Sequence, residues 1–165
     1  MAQRDSRGRF VGGSGGVRES GKRPTLPRGP VTITVGVHSD SAEHTHGTGE
    51  GMTIGDIATF HEFGAPQANV PQRSFVRGWN DERQAFIAET LRTQVQQVIA
   101  GKRPLEQAAE RIALAFEGDC KARIVRHIPP PLAPATVKAK GSSTPLIDRG
   151  QLIQSVRGRV QIGSK

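Results

Sequence analysis

The sequence predicts an α+β fold in which an antiparallel β-sheet packs against a long α-helical hairpin, preceded by an extended basic N-terminal arm. Three observations predict this fold. Residues 31–38 and 155–163 each alternate apolar and polar side chains, which is the period of a half-buried strand. Residues 80–124 carry apolar side chains at helical spacing around one short break. Residues 1–30 are rich in Gly, Arg and Ser, and a segment of that composition buries too little apolar surface to fold alone.

The predicted arm spans residues 1–30, and a single domain is predicted over residues 31–165. The arm carries seven basic and two acidic residues, a net charge of +5. Phe10 heads its one adjacent apolar pair and is an expected anchor on a partner, while Arg18 and Arg28 are expected to contact acidic surfaces. The alternative for the isolated chain is a solvated tail.

The first half of the domain should begin with a strand and continue through a polar loop into a short helix. The strand is residues 31–38, and residues 39–53 are too polar to pack, which predicts an exposed loop. A helix follows from Ile54 to Phe63, and Gly64 supplies its stop. Its expected buried side chains are Ile57, Phe60 and Phe63.

The helical hairpin is predicted from two apolar stripes joined by the short linker Gly101 to Arg103. The first helix should run from about Asn80 to Ala100, with Asn80 as its N-cap. Its predicted stripe is Ile87, Leu91, Val95 and Val98, flanked by Phe86 and Ile99. Pro104 fits the first turn of the second helix, which the three prolines at 129–131 must end. The face predicted for that helix is Leu105, Ala108, Ala109, Ile112, Phe116, Cys120 and Ile124.

Charge is distributed unevenly along the chain, whose formal net charge is +8. Residues 31–120 carry seven basic and twelve acidic residues, whereas residues 121–165 carry nine basic and one acidic. A chain with basic ends and an acidic middle is suited to contacts with acidic neighbours, including copies of itself. The single cysteine, Cys120, excludes an internal disulfide framework and suits a reducing cytoplasm. No apolar run is long enough to span a membrane and no secretory signal is present, so assembly in the cytoplasm of the producing cell is expected.

Histidines provide the one candidate metal set, which comprises His38, His44, His46 and His61. An HxH pair in a Gly-rich loop is a weak signal, because zinc sites need several ligands converging on one ion. His61-Glu62-Phe63-Gly64 is not an HExxH motif, because position 65 is Ala65. No nucleophile elbow, P-loop, Cys-x-x-Cys pair or Rossmann fingerprint is present either. The sequence therefore predicts no catalytic residue, no cofactor and no metal, and a protein that is not an enzyme.

Two stretches carry a family resemblance. The first is Ile57–Gly64 with its HEFG end, followed by Val70-Pro71-Gln72-Arg73-Ser74-Phe75-Val76. The second is Pro131–Gly141, continuing into Thr144-Pro145-Leu146-Ile147-Asp148-Arg149-Gly150-Gln151-Leu152 and on to Val156. Together they resemble neck, tail-completion and virion-morphogenesis proteins of tailed bacteriophages. Arg149 stands where that family usually has Thr, and Val76 where it usually has Leu.

The resemblance implies a structural virion protein that forms a ring of identical subunits between the portal or head-closure region and the tail tube. Its implied partners are other copies and neighbouring neck proteins, with DNA in the lumen as a further candidate and no membrane. We expect Phe75 to anchor its segment in the core, Arg73 to bridge to an acidic group and Asp148 to accept hydrogen bonds in a turn. The alternative function is a basic nucleic-acid-binding protein that uses the arm, Arg157 and Arg159. The full set of expected interaction residues is Phe10, Arg18, Arg28, His61, Glu62, Phe63, Gly64, Pro71, Arg73, Phe75, Asp148, Arg157 and Arg159.

Overall fold

The structure, a computed structural model, describes residues 29–43 and 51–163. The elements, in chain order, are β1 (Val31–Val37), α1 (Ser39–Ala42), α2 (Ile54–Phe63), α3 (Val76–Glu82), α4 (Gln84–Ile99), α5 (Leu105–Val125), α6 (Pro134–Lys140), α7 (Gln151–Ser155) and β2 (Val156–Ile162), with a 3₁₀ turn at Pro66–Ala68 between α2 and α3. The two strands form one antiparallel sheet that packs against α5. The α+β prediction is confirmed.

The sheet pairs the first and last elements of the domain. Val31 lies opposite Ile162 and Val37 opposite Val156, so the two predicted strands are confirmed to within a residue or two at each end. Partners in an antiparallel register share a face. The apolar positions of β1 pack against the core, while Thr34 and its partner Arg159 are exposed on the opposite face.

The helical hairpin consists of α4 and α5. The rings of Phe86 and Phe116 lie 6.1 Å apart between centroids and hold the open end of the hairpin together. The predicted buried face of α5 is confirmed except that Leu105 is half-buried and Ala113 joins it. Gly158 of β2 crosses α5 so closely that a Cβ at this position would clash with the backbone carbonyl of Ala113. Glycine is therefore required where the sheet meets the helix.

Two helix starts differ from the sequence prediction. The long helix expected from Asn80 begins at Val76 instead and is broken at Arg83, which separates α3 from α4. Asn80 lies inside α3, so its predicted N-cap role is wrong. At the break, Arg83 and the buried Trp79 both donate hydrogen bonds to Asp119 of α5. The second difference is Pro104, which lies at the N-cap of α5 rather than in its first turn.

Helix faces also differ from the prediction. In α2 the buried residues are Ile54 and Ala58, whereas Phe60 and Phe63 are 37% and 67% exposed. Thr53 and Asp56 form a capping box that fixes where α2 begins. The predicted stripe of α4 is covered only at its two ends, Ile87 and Val98. Leu91 and Val95 in its middle, and the flanking Ile99, are exposed.

Loops and termini show further differences. Ser39–Ala42 form the short helix α1, so the expected loop over 39–53 is wrong in that part. α5 ends at Val125, before the three prolines. Phe10, Arg18, Arg28, His44 and His46 lie outside the described residues. In the part of the chain that is described, no helix has the length and apolar content needed to cross a bilayer.

Candidate functional site

The two motif segments, which the hairpin separates in sequence, line one open cavity of about 770 Å³. We name it the motif cavity. One part of the lining comes from α2 and the loops on either side of it, and the other comes from α6, the loops on either side of it and the start of α7. Its lining includes Ile54, His61, Val70, Pro71, Arg73, Leu132, Thr136, Lys140, Leu146, Asp148, Arg149, Gln151 and Leu152.

Next to the motif cavity, Glu62 of α2 caps the start of α3 across the intervening loop. Its carboxylate accepts a hydrogen bond from Ser74 Oγ at 2.5 Å. It also accepts from the backbone N–H groups of Phe75, Val76 and Arg77 at 2.9, 3.0 and 3.0 Å. These are the donors that the first turn of a helix leaves unpaired. The sequence interval between HEFG and the segment around Phe75 thus allows Glu62, a residue of α2, to cap α3.

The pKa of Glu62 reflects this arrangement. Burial acts to raise the pKa, but the hydrogen bonds from Ser74 and the three backbone N–H groups outweigh it, so the pKa lies below its usual value. Glu62 is therefore a fixed carboxylate anion. It is a structural group rather than a candidate general acid.

The loop between α2 and α3 is held tightly against α2. Gly64 has φ of +80°, and a Cβ there would also lie 3.1 Å from the backbone nitrogen of Gln72. The side-chain amide of Gln72 donates to the carbonyl of Glu62 at 3.0 Å, and the backbone N–H of Arg73 donates to the carbonyl of His61 at 2.7 Å. Gly64 thus ends the helix as predicted and allows this close return.

Arg73 joins the two motifs. The residue is 4% exposed, and its Nε and Nη2 donate to the carbonyls of Pro130 and Pro131 at 2.9 and 3.4 Å. Both of these acceptors are neutral backbone carbonyls of the proline run, and the expected bridge from Arg73 to an acidic group stays a prediction. Phe75 is 1% exposed, which confirms its role as a core anchor.

Lys140, which is half-buried, is the second cation in the cavity lining. Its Nζ donates to the carbonyls of Thr144 and Pro145 at 2.8 and 3.0 Å and so fixes the turn after α6. Burial lowers the pKa of Lys140, the nearby charge of Asp148 acts to raise it, and that of Arg73 lowers it further. Asp148 itself is exposed, and its predicted role in the turn stays a prediction.

His61 faces the cavity as a neutral imidazole. Burial, followed by the charges of Arg73 and Lys140, lowers the pKa of His61 to about 4. Its Nδ1 is buried and has no hydrogen-bond partner among the described residues, and the same is true of Gln151 Oε1. These are unusual atoms, because buried polar groups nearly always have a partner.

The charge balance of the cavity is positive. Arg73, Lys140 and Arg149 supply three cations, and Asp148 supplies one anion. Since His61 is neutral near pH 7, the lining carries an excess of two positive charges. Most of the remaining lining is apolar.

The other predicted site residues lie elsewhere. Phe63 is exposed on α2. Arg157 and Arg159 point outward from β2: Arg157 Nη1 lies 3.5 Å from the carboxylate of Glu117, and Arg159 pairs with Asp40. The structure thus brings His61, Pro71, Arg73 and Asp148 together in the motif cavity. Glu62, Gly64 and Phe75 support the segments that carry them. The arginines of β2 lie on the outer face of the sheet.

Sequence reasoning assigned no site role to two cavity residues, Lys140 and Gln151. Both lie within the second motif, which was the signal available for them, but the sequence does not show which motif positions line a cavity. It also missed the node on α5 where Asp119 accepts hydrogen bonds from Trp79 Nε1 at 2.9 Å and from Arg83 Nε at 2.7 Å. The signal available there was the chain's one tryptophan, whose N–H needs a partner when buried.

No group of three or more His, Cys, Asp or Glu side chains within residues 29–43 and 51–163 is placed to hold a metal ion, and His38 contacts the carbonyl of Arg157 instead. Burial raises the pKa of the Cys120 thiol to about 12, which leaves it protonated. In comparisons with known proteins, the chain matches no family model, no curated protein and no solved structure at a significant level.

Proposed function

We propose that the protein is a structural subunit of the head–tail interface of a tailed bacteriophage, and that identical copies form a ring which docks head to tail. One observation carries the proposal: the two motifs that resemble phage neck and tail-completion proteins line a single cavity. Their charged residues hold that cavity in shape through backbone groups, as Glu62 does for α3 and Arg73 for the proline run.

Charge and exposed apolar side chains support the assembly part of the proposal. The chain has basic ends and an acidic middle, which suits contacts between copies. Several large apolar side chains are strongly exposed, among them Phe63, Ile99 and Leu114 at 67%, 73% and 70%. Such side chains are more costly in an isolated subunit than in an assembly that covers them.

The test is to determine the mass of the purified full chain and image it by negative stain, and to search mature virions for the same chain. We expect a closed ring of identical subunits and its presence at the neck of the particle. A chain that stays monomeric at all concentrations and is absent from mature virions would reject the proposal.

The competing function is nucleic-acid binding through the arm, Arg157 and Arg159. The exposure of both arginines on one face of β2 favours it, but each is near a carboxylate, Glu117 or Asp40, which reduces the charge available to phosphates. A mobility shift of duplex DNA that weakens steeply with salt, and that Arg157→Gln with Arg159→Gln abolishes, would favour this function over the ring.

A further inference from the structure

We infer that the motif cavity is a binding site for a peptide segment that presents a carboxylate next to an apolar side chain. The inference rests on the proposed function only in identifying the peptide as part of another virion component. The chemistry of the ligand follows from two properties of the cavity, which are its charge and its apolar wall.

The charge of the cavity selects an anion. Arg73 and Lys140 are held by neutral carbonyls, so their positive charges are not cancelled by the groups that position them. Arg149 adds a third positive charge at the exposed rim, and Asp148 offsets one of the three. An anionic group that enters the cavity would therefore gain favourable interactions with the net positive charge of its lining.

The wall of the cavity selects an apolar group beside that anion. Apolar side chains that keep exposed surface, from three different parts of the chain, contribute to it; these are Met52, Val70, Pro71 and Leu132. A phosphate or a sugar–phosphate backbone would leave this wall in contact with polar atoms. An aliphatic side chain would instead bury apolar surface against it.

The test is an NMR titration of the ¹⁵N-labelled full chain with three short peptides. The probes are acetyl-Ala-Val-Leu with a free terminal carboxylate, the same peptide with a terminal carboxamide, and acetyl-Leu-Glu-Leu-amide, whose carboxylate is internal. We expect the side-chain resonances of His61 and Gln151 to shift and saturate with at least one carboxylate peptide, at an affinity at least tenfold higher than with the carboxamide. Preference for the first or third probe would identify the source of the carboxylate as a chain end or a side chain.

A matched pair of variants locates the binding. Arg149→Glu reverses an exposed charge on the rim, and Arg111→Glu makes the same change on α5 outside the cavity. We expect Arg149→Glu to weaken binding at least fivefold and Arg111→Glu to change it less than twofold. Equal binding of acid and carboxamide, no saturable shift with either acid, or an equal effect of the two variants would overturn the inference.

Inorganic phosphate and the virion search separate peptide binding from simple anion binding and from the proposed function. Phosphate that produces the same shifts with the affinity of the peptides would overturn the inference, because the apolar wall would then contribute nothing. Rings in virions without peptide binding would reject the inference but not the proposed function. Peptide binding by a chain that is absent from virions would reject the proposed function but leave the site.

Discussion

At the scale of single residues, Glu62 satisfies three backbone N–H groups that α3 would otherwise leave unpaired. Replacing it with Ala removes every one of these acceptors, and we expect a loss of about 2–3 kcal/mol in the free energy of unfolding. Glu62→Gln keeps one acceptor and should lose about 1–2 kcal/mol. The control is Glu89→Gln, which removes an exposed ion pair with Arg92 and should cost less than about 0.5 kcal/mol. Urea unfolding curves measure all three, and equal losses for Glu62→Ala and Glu89→Gln would contradict the capping role.

His61 should make the stability of the fold depend on pH. The pKa of His61 is about 4 in the folded chain, well below its ordinary value near 6.5. The unfolded chain therefore binds more protons between these two values, and the stability contributed by the neutral imidazole is complete above pH 6.5 and lost as the pH falls toward 4. Because His61 is partly exposed, we expect this loss to be about 1–2 kcal/mol.

The variant His61→Asn should remove most of the fall in stability between about pH 6.5 and 4.5. The control is His127→Asn, at an exposed histidine whose φ of +58° asparagine tolerates, and the fall should persist in that variant. The carboxyls of Glu62, Glu117 and Asp119 have pKa values lowered in the folded chain, so they contribute mainly at still lower pH. A wild-type stability that stays constant from about pH 6.5 to 4.5 would contradict the prediction.

At the scale of elements, the contact of β2 with α5 depends on Gly158. Its backbone N–H also donates to the carboxylate of Glu117 at 2.9 Å, which fixes the strand over the helix. Gly158→Ala would force the strand away from the carbonyl of Ala113, and we expect a loss of about 3 kcal/mol or more. Gly118→Ala is the matched control, because an added Cβ there meets nothing within 4 Å and the helix should gain about 0.5–1 kcal/mol. Thermal unfolding distinguishes them, and a stable Gly158→Ala would refute the close-contact interpretation.

Some of the helices and strands could be predicted from the sequence and others could not. β1, β2 and α5 were predictable because each has one face in the core and one in solvent. In such elements the spacing of the apolar residues indicates which side chains are buried. The face of α2 was not predictable, because Phe60 and Phe63 are apolar yet exposed. The break at Arg83 was not predictable either, because the contact made there is with Asp119, which lies 36 residues away in sequence.

The candidate site likewise has features that the sequence predicted and features that it did not. His61, Arg73 and Asp148 could be selected because they lie in motifs, but their convergence on one cavity depends on how α6 and the loop after α2 pack together. The carbonyl acceptors of Arg73 could not be predicted for a related reason. The backbone carbonyls of Pro130 and Pro131 accept hydrogen bonds from its guanidinium, and carbonyl positions are set by tertiary structure rather than by residue type.

At the scale of the whole molecule, the uneven charge of the chain should make assembly sensitive to salt. Residues 1–30 carry a net charge of +5 and residues 31–120 carry −5, so contacts between the arm of one copy and the middle of another would be attractive. Attraction between exposed charges is screened over about 8–10 Å at physiological ionic strength. We therefore expect the ring to dissociate as salt is raised from about 0.05 to 0.5 M, as measured by sedimentation velocity.

Two arm variants separate the effect of charge from that of chain length. In the first, residues 2–28 are deleted. In the second, the basic residues of the same segment are replaced by Ser so that the length is kept. If charge is what the arm contributes, both variants should assemble more weakly than the wild type and lose most of the salt dependence of assembly. The unfolding temperature of the domain should change little, because the hydrophobic core cluster of the described residues is built from residues beyond the arm. A neutral arm that supports assembly as well as the wild type, with the same response to salt, would show that electrostatic contact by the arm is not what joins the copies.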